Sequence, residues 1–398
     1  MFDPGNKIQD LQFFGEFGGV NPSISDSSTY TFLSAKSMFD TFEGNTDGCY
    51  LYSRHSSPSN LYLAEALAKM ENTEAANVTA SGMGAITSTL MQLCKSGDHI
   101  ISSRTIYGGT YAFMKNFLPG FGVQVDFVDI TKLDLIEQLI TANTKVIYLE
   151  TVSNPLLEIA DIKGISDLAK KNNIKVIVDN TFSPLSVSPK QLGADIIIHS
   201  LTKYINGSSD TVGGVICADA DFINALKDVN NGACMLLGPT MDSMRSASIL
   251  KNLRTLPIRI QQHSRNAMYL AKKFEEVGIK AVYPGLESHP GHELYQTMFN
   301  EKYGFGGMLT IDAGSLEKAN ATMEMMQEKN VGYLAVSLGF YKTLFSAPGS
   351  STSSEIPEDE QKEMGLTDGL IRFSIGLDAD IERTFQTMME CLKANEVI

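Results

Sequence analysis

Positive charge is scarce in this chain. Its 32 lysines and arginines face 46 aspartates and glutamates, giving a formal net charge of -14. So acidic a balance argues against nucleic acid or an anionic membrane as partner. Long apolar runs are missing too; none approaches the roughly 20 residues that a membrane-spanning helix needs. The opening residues, MFDPGNKIQD, carry neither a basic nor an apolar stretch, so they do not read as a secretion signal. Cysteines number only five (Cys49, Cys94, Cys217, Cys234, Cys391), far apart in sequence. An odd count with no signal points to reduced thiols and a cytoplasmic protein. No Cys/His spacing resembles a zinc site, and there is no internal repeat. What remains is a globular composition over 398 residues, too long for one simple core, so two domains are expected.

The most informative stretch runs from Ile174 to Asp210: IKVIVDNTFSPLSVSPKQLGADIIIHSLTKYINGSSD. Val176-Ile177-Val178 ends in Asp179, and Ile196-Ile197-Ile198 ends in His199-Ser200, with Lys203 just beyond. Both runs have the length and β-branched content of strands, and their continuous apolarity points to parallel strands covered on both faces. Ligands in such sheets sit beyond the carboxyl ends of the strands, where Asp179 and Lys203 would meet. A lysine that forms a Schiff base needs burial near positive charge, and a pyridinium nitrogen needs a buried anion. This pair is what pyridoxal phosphate (PLP) chemistry requires. Ser200 and Thr202 add hydroxyls that can hold a phosphate.

The rest of the chain supports a βαβ reading. Leu61–Met70 has the pattern of an amphipathic helix. Gly82-Met83-Gly84 opens a second helix that Ser81 can cap, and free N–H groups there make an anion site. It is not a dinucleotide fingerprint, because residue 87 is Thr. Strand-like HIISS, VQVDFVDI and KVIYLETV then alternate with helical segments. Tyr107 heads one of these helices and suits either core filling or stacking on a ring. Asn154 follows a strand, where a turn residue is ordinary. GGVICAD adds a strand, and helices from Ser246 to Val277 lead to a second region with strands in AVYP, GGMLTIDA and LIRFSIGL. Arg372, in the last of these, has the fork that binds a carboxylate through two bonds. The polar loop SAPGSSTSSEIPEDEQ has the length of a lid, with Pro357 starting a short helix that Gly365 ends. We divide the chain into an arm (1–56), a cofactor domain (57–250) and a C-terminal domain (251–398).

The S-x-T-K pattern around Lys203 and the upstream D-N-T-F resemble the cofactor site of the cysteine and methionine metabolism PLP enzymes. The likeness extends from Gly15 to Leu377. In YGGT, MLLGPTM, YPGLESHP and GSSTSSE it is similar in detail to the methionine γ-lyases of plants. The resemblance implies an α/β fold, PLP-dependent transferase fold type I (aspartate aminotransferase-like), with a mostly parallel central sheet and a smaller α/β C-terminal domain. It implies Lys203 as cofactor lysine and base, and Asp179 on the pyridine nitrogen. Gly82, Met83, Ser200 and Thr202 hold the phosphate. Tyr107 stacks on the ring and serves as acid, and Asn154 bonds the ring oxygen. Tyr52 and Arg54 reach from a neighbouring subunit, and Arg372, Ser337 and Tyr52 bind substrate. The implied partners are a small sulfur amino acid and further copies of the chain, in dimers with shared sites and a tetramer. The implied activity is elimination of methionine to methanethiol, 2-oxobutanoate and ammonia. The alternatives are γ-replacement on an activated homoserine, as in O-acetylhomoserine sulfhydrylase or cystathionine γ-synthase, and cystathionine γ-lyase activity. Gly109 stands where many bacterial methionine γ-lyases have Cys, Lys342 where many relatives have Glu, and Ser351 and Ser353 replace a Met and a His.

Overall fold

The computed structural model describes residues 2–44, 48–351 and 356–398. Its larger sheet contains β1 (Ala75–Thr79), β2 (His99–Ser103), β3 (Gln124–Val128), β4 (Thr144–Glu150), β5 (Lys175–Asp179), β6 (Ile196–Ser200) and β7 (Gly214–Ala218). They lie in the order β1-β7-β6-β5-β4-β2-β3. Strands β2 to β6 pair in parallel, and β7 runs antiparallel to both neighbours. This is the mostly parallel sheet that the sequence implied. The apolar runs are buried on both faces because successive residues of a strand point opposite ways. Val176 and Val178 of β5 enter one core cluster and Ile177 the other. In β6, Ile197 enters the first, and Ile196 and Ile198 the second.

Helices cover both faces, and their ends follow from local residue chemistry. Helix Pro58–Glu71 starts at the Ser57 cap with proline in its first turn, and stops where Asn72 turns left-handed. Helix Gly82–Leu93 starts at Ser81, whose hydroxyl accepts the Gly84 N–H at 2.9 Å.

The smaller sheet holds β8 (Ala281–Val282), β9 (Met308–Asp312), β10 (Gly332–Leu334), β11 (Thr343–Ser346) and β12 (Leu370–Ser374), ordered β10-β11-β12-β9-β8. Only its β10–β11 pair is parallel. The sequence did not signal β10 or β11, which are short and lack a clean apolar alternation. Helix Leu256–Glu276 joins the two parts: Leu256 and Ile260 pack in the core of the larger sheet, Ala267, Leu270 and Phe274 in that of the smaller. Before Pro58 the described residues form helices Pro4–Gln9 and Ala35–Phe42, a 3-10 turn at Glu16–Gly18 and the bridge Thr29 to Tyr52. Among the described residues, no helix is long and apolar enough to cross a membrane.

Candidate active site

Strands β4, β5 and β6 end side by side, with Glu150 opposite Asp179 and Asp179 opposite Ile198. The turns after β5 and β6 are stitched together. The Thr181 N–H donates to Asp179 Oδ1 at 3.0 Å, and the Ser200 N–H donates to Thr181 Oγ1 at 2.8 Å. Asp179 thereby keeps one oxygen engaged while its carboxylate stays buried. That burial pushes its pKa up, and the Thr181 hydrogen bonds oppose the rise. A cation beside Asp179 would offset the cost of keeping it ionised.

Lys203 follows β6 on a turn held from behind. Arg259 donates to the carbonyls of Tyr204 and Ile205, and Gly339, at φ +78°, packs directly on the Lys203–Tyr204 backbone. A β-carbon at Gly339 would lie 2.5 Å from the Tyr204 nitrogen, so only glycine fits there. Lys203 Nζ donates to Ser337 Oγ at 3.1 Å. Burial, with the nearby Arg372 charge, lowers its pKa to about 8.

One cavity of about 230 Å³ is lined by Gly82, Met83, Tyr107, Asn154, Asp179, Ser200, Thr202, Lys203 and Arg372. Nine sequence-selected residues thus come together there, and Ser337 adjoins them through Lys203. At the helix start, a β-carbon on Gly82 would approach Ser200 Cβ to 2.9 Å, so the glycine leaves the Ser200 side of the cavity open. The Thr202 hydroxyl accepts the Gly213 N–H at 3.1 Å. Asn154 Oδ1 accepts from Arg372 Nη1 at 2.6 Å, and Arg372 Nη2 reaches Ser346 Oγ at 3.4 Å. Burial lowers the Arg372 pKa to about 10. Gly109 has a local reason: a β-carbon there would strike the Tyr107 ring, 2.7 Å from Cε1.

Tyr52 and Arg54 do not line this cavity. Arg54 Nη1 donates to the Met235 carbonyl of its own chain at 2.7 Å, and its guanidinium lies 5.9 Å from the Tyr52 ring. Lys342 Nζ sits 5.1 Å from the Tyr333 ring. The Ser351 hydroxyl donates to the Ala347 carbonyl, and Ser353 lies outside the described residues. Sequence reasoning missed Glu150, a buried carboxylate in the cavity wall. Its position at the end of β4 matches that of Asp179 at the end of β5, but nothing in the local sequence marks the two loops whose N–H groups it accepts.

The donor set fits PLP. A helix start, close-approach glycine and serine hydroxyl suit a phosphate. A desolvated carboxylate suits a pyridinium, and an amine with lowered pKa suits the aldehyde. Fold and site together define a PLP-dependent enzyme of fold type I. A family model described as "Cys/Met metabolism PLP-dependent enzyme" matches residues 8–389, and the chain belongs to that family. It is 40% identical over 388 residues to a methionine gamma-lyase of Arabidopsis thaliana, covering 96% of this chain and 88% of the relative. A cystathionine gamma-lyase of Bacillus subtilis is 38% identical over 348 residues, covering 86% and 89%. Among solved structures, a putative O-acetylhomoserine (thiol)-lyase of Campylobacter jejuni, which contains N'-pyridoxyl-lysine-5'-monophosphate, superposes with a TM-score of 0.91 at 30% identity. That match covers 98% of this chain and 100% of the other.

Proposed function

We propose that the protein cleaves L-methionine, with water, to methanethiol, 2-oxobutanoate and ammonia. The observation that carries this reading is the grouping of a lysine amine, an arginine fork and a tyrosine in one cavity. The other lining residues include Ile86, Val152, Phe182 and Leu338, an apolar wall suited to a thioether. The 40% identity to a methionine gamma-lyase supports the same substrate. PLP, held by Gly82, Met83, Ser200, Asp179 and Lys203, supplies an electron sink for charge that develops next to the substrate amine. Arg372 binds the substrate carboxylate and sets the orientation of the Cα–H bond. Once the substrate amine has displaced it, Lys203 Nζ removes the Cα proton and then a Cβ proton, whose C–H electron pair forms the Cβ=Cγ bond as the Cγ–S bond breaks. Tyr107 gives its hydroxyl proton to the departing methanethiolate sulfur. Asn154 holds Arg372 in place.

We also propose that the active unit is a dimer, with Tyr52 and Arg54 of each chain completing the partner site, and that two such dimers form a tetramer. Five free thiols, four of them buried, support a reducing, cytosolic setting. The divisions 1–56, 57–250 and 251–398 remain our proposed arm and domains. A γ-replacement reading is favoured by the 0.91 superposition on an O-acetylhomoserine (thiol)-lyase.

Parallel incubations with methionine, with cystathionine, and with O-acetylhomoserine plus sulfide decide between them. Methanethiol and 2-oxobutanoate from methionine alone are expected. Undetectable cleavage of methionine, with ready formation of homocysteine from O-acetylhomoserine, would overturn the proposal.

A further inference from the structure

Glu150 ends β4 in register with Asp179 and faces the cavity that holds Lys203. It is 6% exposed. A carboxylate placed so deep is stable only when its oxygens are engaged. Here each oxygen serves a different loop. Oε1 accepts the Tyr107 N–H at 2.9 Å, and Oε2 accepts the Asn154 N–H at 2.8 Å. Tyr107 stands after β2, and Asn154 after β4. The series continues from Asn154 Oδ1 to Arg372 Nη1 at 2.6 Å and from Arg372 Nη2 to Ser346 Oγ at 3.4 Å. Arg372 and Ser346 belong to β12 and β11, so one buried carboxylate joins the Tyr107 loop of the larger sheet to the arginine fork of the smaller.

We infer that Glu150 is a positioning residue that fixes Tyr107 and, through Asn154, Arg372 relative to each other across the cavity. The inference rests on the roles given above to Tyr107 and Arg372. Both Glu150 oxygens face N–H donors, so both must act as acceptors. Glutamine has the same size but offers one acceptor and one donor; its NH₂ would oppose one of the two N–H groups. Aspartate is one methylene shorter and cannot reach both loops in the same pose. A plain structural carboxylate would behave differently. Burial and the adjacent Asp179 raise the Glu150 pKa, against the two N–H bonds and Arg372, so neutralising it relieves a cost that offsets the N–H group glutamine leaves opposed. Removing the charge should therefore leave thermal stability nearly intact while function falls.

The test uses Glu150→Gln and Glu150→Asp, each alone and combined with Arg372→Lys, as purified PLP-loaded proteins. The readouts are PLP per chain, visible circular dichroism of the bound cofactor, Tm, kcat and KM. For Glu150→Gln we expect full PLP loading, Tm close to wild type and a cofactor dichroism band reduced by about half. We expect kcat/KM for methionine to fall about thirtyfold. On the Arg372→Lys background the same change should cost no more than about tenfold, because one of the two residues being aimed is already altered and only the Tyr107 part remains. Dichroism and kcat/KM within about twofold of wild type would overturn the inference, as would an equal thirtyfold loss on both backgrounds. If Glu150→Gln fails to fold, Glu150→Asp, which keeps the charge, is judged by the same thresholds. The dichroism needs no substrate. A wild-type protein that binds PLP but turns over no methionine would sink the proposed function, and the dichroism would still decide the case of Glu150.

Discussion

The two ends of the proposed site differ in how they are built. Around β4, β5 and β6 the chain completes its own environment: Asp179 and Arg372 are 8% and 3% exposed, Asp179 accepting from Tyr148 of β4 and Arg372 donating to Asn154. The segment before Pro58 is the opposite. Phe14, Phe17 and Leu33 are 85%, 104% and 105% exposed, and among the described residues the segment contains one β-bridge, Thr29 to Tyr52, and no strand. Several large apolar side chains open to water on one arm are the mark of a surface that another body covers. The strand-end cluster is therefore preorganised within one chain. In our reading the arm gains its order by burial against a second copy.

The predictions separate these two halves. The largest effect belongs to the strand-end cluster. Lys203→Ala should lower turnover by at least about a thousandfold, since one amine serves as both anchor and base. Borohydride should no longer fix the cofactor to the peptide containing residue 203. A variant with near-normal turnover would remove Lys203 from the reaction. Next comes Arg372→Lys, which keeps the charge but loses the fork. It should cost roughly a hundredfold in kcat/KM, about 2.7 kcal/mol, mostly through KM. An effect under threefold would mean that the substrate carboxylate binds elsewhere.

A third prediction concerns pH. Burial and Arg372 disfavour the charged form of Lys203 and bring its pKa down to about 8. In the PLP-free protein roughly a tenth of this amine is then neutral at pH 7, against well under a thousandth for an ordinary lysine. The rate at which PLP recombines should climb between about pH 7 and 8 and level off above about 9. A rate still climbing steeply at pH 10 would contradict the geometry.

Arg54→Ala probes the arm. It should weaken PLP retention about tenfold, measured by dialysis or fluorescence titration, with little change in Tm. Smallest is the effect of Glu360→Ala. Glu360 accepts from the Tyr111 hydroxyl at 2.7 Å and pairs with Lys115 at 3.3 Å, so it pins the loop before β12 to the helix that Tyr107 heads. The pair is partly exposed, so a two- to fivefold rise in KM is the expected scale. No change in KM and no faster proteolysis of that loop would mean that the latch holds nothing.

What the sequence revealed follows the same division. Val176–Asp179 and Ile196–Lys203 were legible because strand composition and a reactive residue coincide within a few positions. Gly82 was legible as a glycine at a helix start. Glu150 was not, because it completed the apolar segment KVIYLETV and a glutamate there reads as an ordinary strand end. Its meaning depends on the N–H groups of two separate loops, which no local pattern shows. The Tyr111–Glu360 contact joins residues 249 apart and had no signal either. The short strand β11 forms because β12 offers it a partner edge, and β10 pairs in turn on β11, a tertiary effect that overrides weak local preference. Tyr52 and Arg54 were chosen through family resemblance, and within the single chain they stay apart from the cavity.

The claim that each site draws on two chains has a direct test. Lys203→Ala and Arg54→Ala proteins are denatured, mixed in equal amounts and refolded together, and elimination from methionine is measured. In a mixed dimer one site carries both lesions and the other carries neither. Half of the dimers are mixed and half of their sites are intact, so about a quarter of all sites should recover. Activity no greater than the sum of the two parents, with subunit exchange confirmed, would show that Arg54 acts within its own chain or not at all.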